Sequence, residues 1–132
     1  MYSRYAHDRL TEFMASHGFS VTPHYLGLTT AWRAEFTYNP PGKENEKNKG
    51  GPLRVLGVNS EMDALPSIGH GCGHNLIAMS GAAVAVALKA ALERYAIPGT
   101  IVLLGTPAEE TRGGKTILLE RGAYEGMDAC IM

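Results

Sequence analysis

Two cysteines, Cys72 and Cys130, are too few and too far apart to build a disulfide framework. Their scarcity fits a reducing compartment, so a cytoplasmic location is expected. Basic charge is not in excess either: 12 lysines and arginines face 13 aspartates and glutamates, for a net charge of -1. Nothing in that balance selects nucleic acid or an anionic membrane surface as a partner. The opening MYSRYAHDRL lacks the apolar core of a signal peptide. Long apolar runs are also missing. The low-charge stretch from Leu76 to Leu88 falls short of the roughly 20 residues a membrane span needs. A buried helix is expected there, and no membrane partner. No G-x-S-x-G elbow supports a serine hydrolase. The glycine-rich GHGCGHN lacks the G-x-G-x-x-G spacing of a nucleotide loop and does not follow its strand directly.

What remains is the profile of one globular domain. The 132 residues are 45% apolar and 19% charged, enough to bury roughly two-thirds of the unfolded surface. Residues 4–17 predict an amphipathic helix, with Leu10, Phe13, Met14 and His17 at helical spacing and Gly18 as its stop. Phe19 to His24 and Thr30 to Tyr38 read as extended. Asn39 to Pro52 is a polar stretch with Pro and Gly at both ends, read as a flexible loop. From Leu53 the order is strand, helix, strand, helix, strand: LRVLGVNSEMD, then Asn75 to Tyr95 with Asn75 as N-cap, then TIVLLGT, then about Lys115 to Arg121 before Gly122, then MDACIM. Short turns and intervening helices imply an α/β fold with a mostly parallel sheet and helices on both faces. Trp32 is assigned to the core, Cys130 to a small buried position, and His7, His17 and His24 to surface or packing roles.

The chemistry gathers where strands end, which is where open α/β sheets collect ligands. Glu61 and Asp63 follow the first of these strands, and Glu109 and Glu110 follow the second. Between them, Gly69, Gly71 and Gly73 alternate with His70, Cys72 and His74. In an extended loop, residues two apart point to one side, so Cys72 and His74 converge. Gly71 and Gly73 allow the backbone to bend. Glu110 can add an oxygen from the neighbouring strand end. Sulfur, nitrogen and oxygen donors together suit zinc, with manganese or cobalt as alternatives. Glu109, pointing elsewhere, is the candidate catalytic base, and Asp63 the group that orients a histidine ligand. His70 either lines the site or fills the loop. The competing reading is that the glycines merely close a tight turn over the sheet.

Two motifs carry a family resemblance. EMDALPSIGHGCGHNLIA and GTPAEETRGGK, in that order, resemble the zinc-dependent aminoacylase/carboxypeptidase-G-like metallopeptidases. They are most similar to the amidohydrolase subgroup that includes β-alanyl-lysine dipeptidase-like proteins. The resemblance runs from about Phe19 to Met132. It implies a hydrolase-like catalytic domain acting on amide bonds of dipeptides or N-acyl amino acids. It implies Cys72, His74 and Glu110 as metal ligands, Glu109 as the base that activates water, and Asp63 as the Asp of an early H-x-D motif whose His position is here Glu61. Asn75 stands where many members of the subgroup have Asp. Such enzymes carry a further ligand histidine soon after the strand at Met132, another far downstream, and a smaller lid and dimerisation domain. The chain is therefore expected to be the N-terminal part of such a catalytic domain, weak in metal binding and turnover alone, with a homodimer possible only at full length. A truncated paralogue that binds metal or a protein partner without catalysis is the alternative.

Overall fold

The computed structural model describes residues 2–40 and 53–132. Most of the expected flexible loop, residues 41–52, lies outside them. The elements run α1 (Tyr2–Ser16), β1 (Ser20–Pro23), a short 3-10 turn (Tyr25–Gly27), β2 (Trp32–Tyr38), β3 (Val55–Glu61), α2 (His74–Tyr95), β4 (Gly99–Thr106), α3 (Glu109–Arg112), α4 (Gly114–Glu120) and β5 (Ala129–Ile131).

The five strands form one sheet in the order β1-β2-β4-β3-β5. The sheet is mixed rather than mostly parallel. β3 runs parallel to β4 and β5, but β2 runs antiparallel to both β1 and β4. The β-α-β reasoning holds only from β3 onward. The connection from β1 to β2 is too short for a crossover, so those strands must pair antiparallel.

β4 sits in the middle and is buried along nearly its whole length. Its alternate side chains feed two cores, as a period of two requires. Ile101 and Leu103 join Met14, Trp32, Val58 and the alanines of α2 on one face. Val102 and Leu104 join Ala31, Leu118 and Ala123 on the other. From β3 the chain crosses through α2 to β4, then returns through α4 to β5 on the far side of β3. Two right-handed crossovers in opposite directions place their helices on opposite faces. Helices do cover both faces, as expected.

α2 meets the sheet through its smallest residues. Ala78, Gly81, Ala82 and Ala85 are its buried apolar positions. A Cβ on Gly81 would lie 2.9 Å from the Cβ and Oγ of Ser60. Ser60 Oγ in turn donates to the Ala78 carbonyl at 3.1 Å. Elsewhere on the helix, Leu76, Met79 and Val84 are exposed. It is also long and apolar enough to cross a membrane by length and composition. Asn75 does not cap it. The helix starts one residue earlier, after Gly73 in the left-handed conformation. Cys130 is exposed, not buried, because among the described residues β5 borders only β3 at the edge of the sheet. His7 is a packing residue, buried and stacked on His24 with ring centroids 4.8 Å apart.

One glycine in the sheet has no substitute. Gly105 faces Trp32 across the β2–β4 pair, and an added Cβ would lie 2.0 Å from the indole Nε1. Trp32 is fully buried and its Nε1 donates to Met62 Sδ, so the ring has nowhere to go. Gly105→Ala is expected to destabilise the fold by about 2–3 kcal/mol through overpacking. A urea midpoint equal to the parent's would refute that account.

Candidate metal centre

β3 and β4 end side by side, with Glu61 in register with Thr106. Past Glu61 the chain continues through Asp63 into the glycine loop. Past Thr106, Pro107 ends the strand and Ala108 takes a left-handed conformation with φ 58°. That conformation is strained for a residue with a Cβ. It turns the chain straight into α3, so Glu109 and Glu110 stand on its first turn.

Cys72, His74 and Glu110 come together. Each offers a donor atom, and the three atoms lie within 4.8 Å of one another. His74 is buried, while Cys72 and Glu110 are exposed. The loop does not achieve this as a uniform extended segment. Gly73 has φ 76°, a value that favours glycine. This twist swings His74 onto the first turn of α2 and back toward Cys72.

His74 is held from several sides. A proton on Nδ1 can be donated to Asp63 Oδ1 at 3.1 Å, which leaves the Nε2 lone pair facing the cavity. Nε2 is 3.2 Å from Glu61 Oε2 and 3.6 Å from Glu110 Oε1. Asp63 and Glu61 are themselves buried. Donors around a single zinc ion stand roughly 3.5 Å apart, given bonds of about 2.0–2.3 Å. The imidazole–carboxylate spacing already matches. The donor set therefore fits a divalent cation. Without one, Glu110 pushes the Cys72 thiol up by accepting its hydrogen bond, and some desolvation and the charges of Glu110 and Asp63 act in the same direction. A cation would reverse that sense and favour the thiolate.

Glu109 and Glu110 face different partners, as expected. Glu110 looks toward His74, whereas Glu109 Oε1 lies 3.6 Å from Lys115 Nζ. The other oxygen, Glu109 Oε2, is buried with no hydrogen-bond partner among the described residues, and so is Thr106 Oγ1. Lys115 also pairs with Glu61 Oε1. Burial alone would lower the Lys115 pKa, but the Glu61 hydrogen bond and the charges of Glu61 and Glu109 outweigh it and hold it above the ordinary lysine value. His70 stays out of the cluster. It lines a separate apolar groove of about 430 Å³ between α1 and α2, with Phe13, Met62 and Met79. Lys115 is the site residue that motif reasoning missed. Its signal was a lysine just beyond the Gly113–Gly114 pair that follows two acids and Arg112.

Fold and site together define a class: an α/β protein with a cluster of soft and hard metal donors, and a spare carboxylate, at the carboxyl ends of parallel strands. Residues 57–132 match the peptidase family M20/M25/M40, and the chain belongs to that family. It is 47% identical over 135 residues to the Xaa-Arg dipeptidase of Mus musculus, an alignment covering 96% of this chain and 29% of that protein. It is 30% identical over 141 residues to a p-aminobenzoyl-glutamate hydrolase polypeptide of Escherichia coli strain K12, covering 94% and 27%. Its fold superposes on a Bacillus subtilis dinuclear metal-binding peptidase of the M20 family with a TM-score of 0.67 at 21% identity, covering 96% of this chain and 35% of that one. The chain thus spans less than a third of the length of the mouse and Escherichia coli relatives.

Proposed function

We propose that these residues form part of the active centre of a metal-dependent amidohydrolase that cleaves dipeptides or N-acyl amino acids. The observation that carries this reading is the convergence of Cys72, His74 and Glu110 within 4.8 Å. In it, those three residues hold the cation, zinc by preference for a mixed sulfur, nitrogen and oxygen set, with manganese or cobalt as alternatives. Asp63 fixes the His74 tautomer so that Nε2 faces the cavity. The names of the mouse and Escherichia coli relatives support an amide substrate. The two free thiols support a reducing, cytoplasmic setting.

When bound, the cation supplies a Lewis acid and brings the pKa of water toward about 7. The rest is the work of the chain. Glu109, with Oε2 unpartnered, takes a proton from water as its oxygen bonds to the substrate carbonyl carbon. As the carbon–nitrogen bond breaks, Glu109 passes that proton to the leaving amine. Lys115 stays on Oε1 throughout, so the proton is handled at one oxygen only.

Metal content tests the reading. The chain is expected to take up zinc. Cys72→Ser is expected to weaken that uptake beyond the roughly 10–100-fold typical when only an outer partner of a ligand is lost. Equal zinc by elemental analysis in both proteins would return the glycine ladder to a purely structural role.

A further inference from the structure

The mixed sheet brings a residue from the N-terminal part of the chain to the metal-binding end. β2 runs antiparallel to β4, with Trp32 opposite Gly105. Carried two residues further, that register sets Thr30 level with Pro107, just past the carboxyl end of β4. Both line a small cavity of about 160 Å³, together with Ser3, Pro66 and the site carboxylates Asp63 and Glu110. Ser3 comes from the first turn of α1. The two prolines, with φ fixed by their rings, make stiff walls.

The cavity presents acceptors without donors. Asp63 is 8% exposed. Its Oδ1 takes the hydrogen bond of His74 Nδ1, and among the described residues its Oδ2 has no hydrogen-bond partner. The hydroxyls of the half-buried Ser3 and Thr30 have none there either. No lysine or arginine is among the described residues that line the cavity. A buried acceptor left without a donor is costly, and a ligand that carries donors removes that cost.

We propose that this cavity is the subsite for a primary ammonium group of the substrate, with Ser3 and Thr30 as the residues that determine specificity for it. The inference rests on the amidohydrolase reading above and narrows it: a substrate with a free amino group next to the scissile amide is preferred to the same molecule without one. The match is in number and in charge. An ammonium brings three N–H donors and one positive charge. The cavity offers three oxygens to receive them, Asp63 Oδ2, Ser3 Oγ and Thr30 Oγ1. Glu110 adds negative charge on the side of the metal centre and so offsets the repulsion between ammonium and metal. An acyl group in place of the ammonium has no charge to offer and little room. The cavity is well below the roughly 300 Å³ at which pockets for whole small molecules begin.

Two probes that differ only in this group test the assignment on the zinc-loaded chain: L-alanyl-L-alanine, and N-propionyl-L-alanine, which has hydrogen in place of the amine. At about pH 7 an α-amine is mostly protonated. Titration followed through the amide resonances of the chain gives both dissociation constants. The parent is expected to bind the dipeptide roughly 10–100-fold more tightly, the worth of hydrogen bonds to a charged group. Ser3→Ala combined with Thr30→Val is expected to cut that ratio about tenfold and to leave the affinity for N-propionyl-L-alanine unchanged. Thr30→Ser keeps a hydroxyl and is expected to keep the ratio. If the double variant does not fold, Ser3→Ala and Thr30→Val are compared singly, each with a smaller fall in the ratio. Equal affinities in a zinc-loaded parent, or no binding of either probe, overturn the inference while the metal centre stands. An undiminished ratio in the variants also overturns it, because the amine would then be held by the cation itself. Equal weakening of both probes would make Ser3 and Thr30 wall residues without a role in selection. A parent that takes up no zinc removes the amidohydrolase reading and this inference with it.

Discussion

His74→Ala is expected to abolish metal uptake and to destabilise the metal-free fold by about 1–3 kcal/mol, the range for leaving a buried hydrogen-bonding group without its partner. The two losses share a cause. The imidazole is 5% exposed and touches three carboxylates at once: Asp63 at 3.1 Å, Glu61 at 3.2 Å and Glu110 at 3.6 Å. Asp63 and Glu61 are 8% and 4% exposed. With the ring gone, Asp63 loses its hydrogen bond and has no replacement donor among the described contacts. Glu61 keeps Lys115, which limits the damage. The metal loses the one buried member of its three ligands, at the start of α2.

The two effects separate by choice of residue. His74→Asn keeps an amide donor for Asp63 but shortens the reach to the cavity. It is expected to recover much of the stability, read from the urea midpoint, and little of the zinc. If His74→Ala matched the parent in both midpoint and metal content, the ring would be neither a ligand nor a structural partner of the buried acids.

That a single histidine can serve both purposes was only half visible in the residue order. The alternation of Gly, His and Cys between two acidic strand ends pointed to the donor set, because few other uses place a thiol and imidazoles on a glycine ladder. It did not reveal how they meet. The expected mechanism was an extended loop with side chains two apart on one side. The actual device is the left-handed Gly73 placing His74 on the first helical turn, a conformation that sequence alone does not distinguish from other uses of glycine.

The fold divides in the same way. Local order from β3 onward was legible because β-α-β spacing leaves one economical arrangement. The mixed sheet was not, because the partner of β2 depends on a long-range choice. β2 docks on β4, some 63 residues away in the Thr37–Thr100 pair, and no local pattern encodes that. Cys130 was misplaced for a related reason: an apolar run looks alike at the centre of a sheet and at its edge. Lys115 was invisible because a lysine after a glycine pair is ordinarily solvated. Only the position of α4 against the end of β4 gives it carboxylate partners.

Glu109→Gln is expected to lower turnover by about 10²–10⁴-fold in the complete enzyme while leaving bound metal unchanged, as befits a group that moves a proton rather than holds a cation. The amide is close in size to the carboxylate, so packing around Thr106 and Pro107 is kept. It can still accept a hydrogen bond from Lys115 through its carbonyl oxygen. What it cannot do is take a proton from water at the position of Oε2, the buried oxygen with no partner. Glu110→Gln makes the informative contrast. Glu110 faces His74 Nε2 rather than Lys115, so there the metal content should fall together with turnover. Adjacent acids with opposite responses, one losing rate alone and the other losing metal and rate, are what two side chains on one helical turn with different partners must give. Loss of zinc in Glu109→Gln equal to that in Glu110→Gln would mean that both acids bind the cation. The base would then have to be sought elsewhere, with Glu61 the nearest remaining carboxylate.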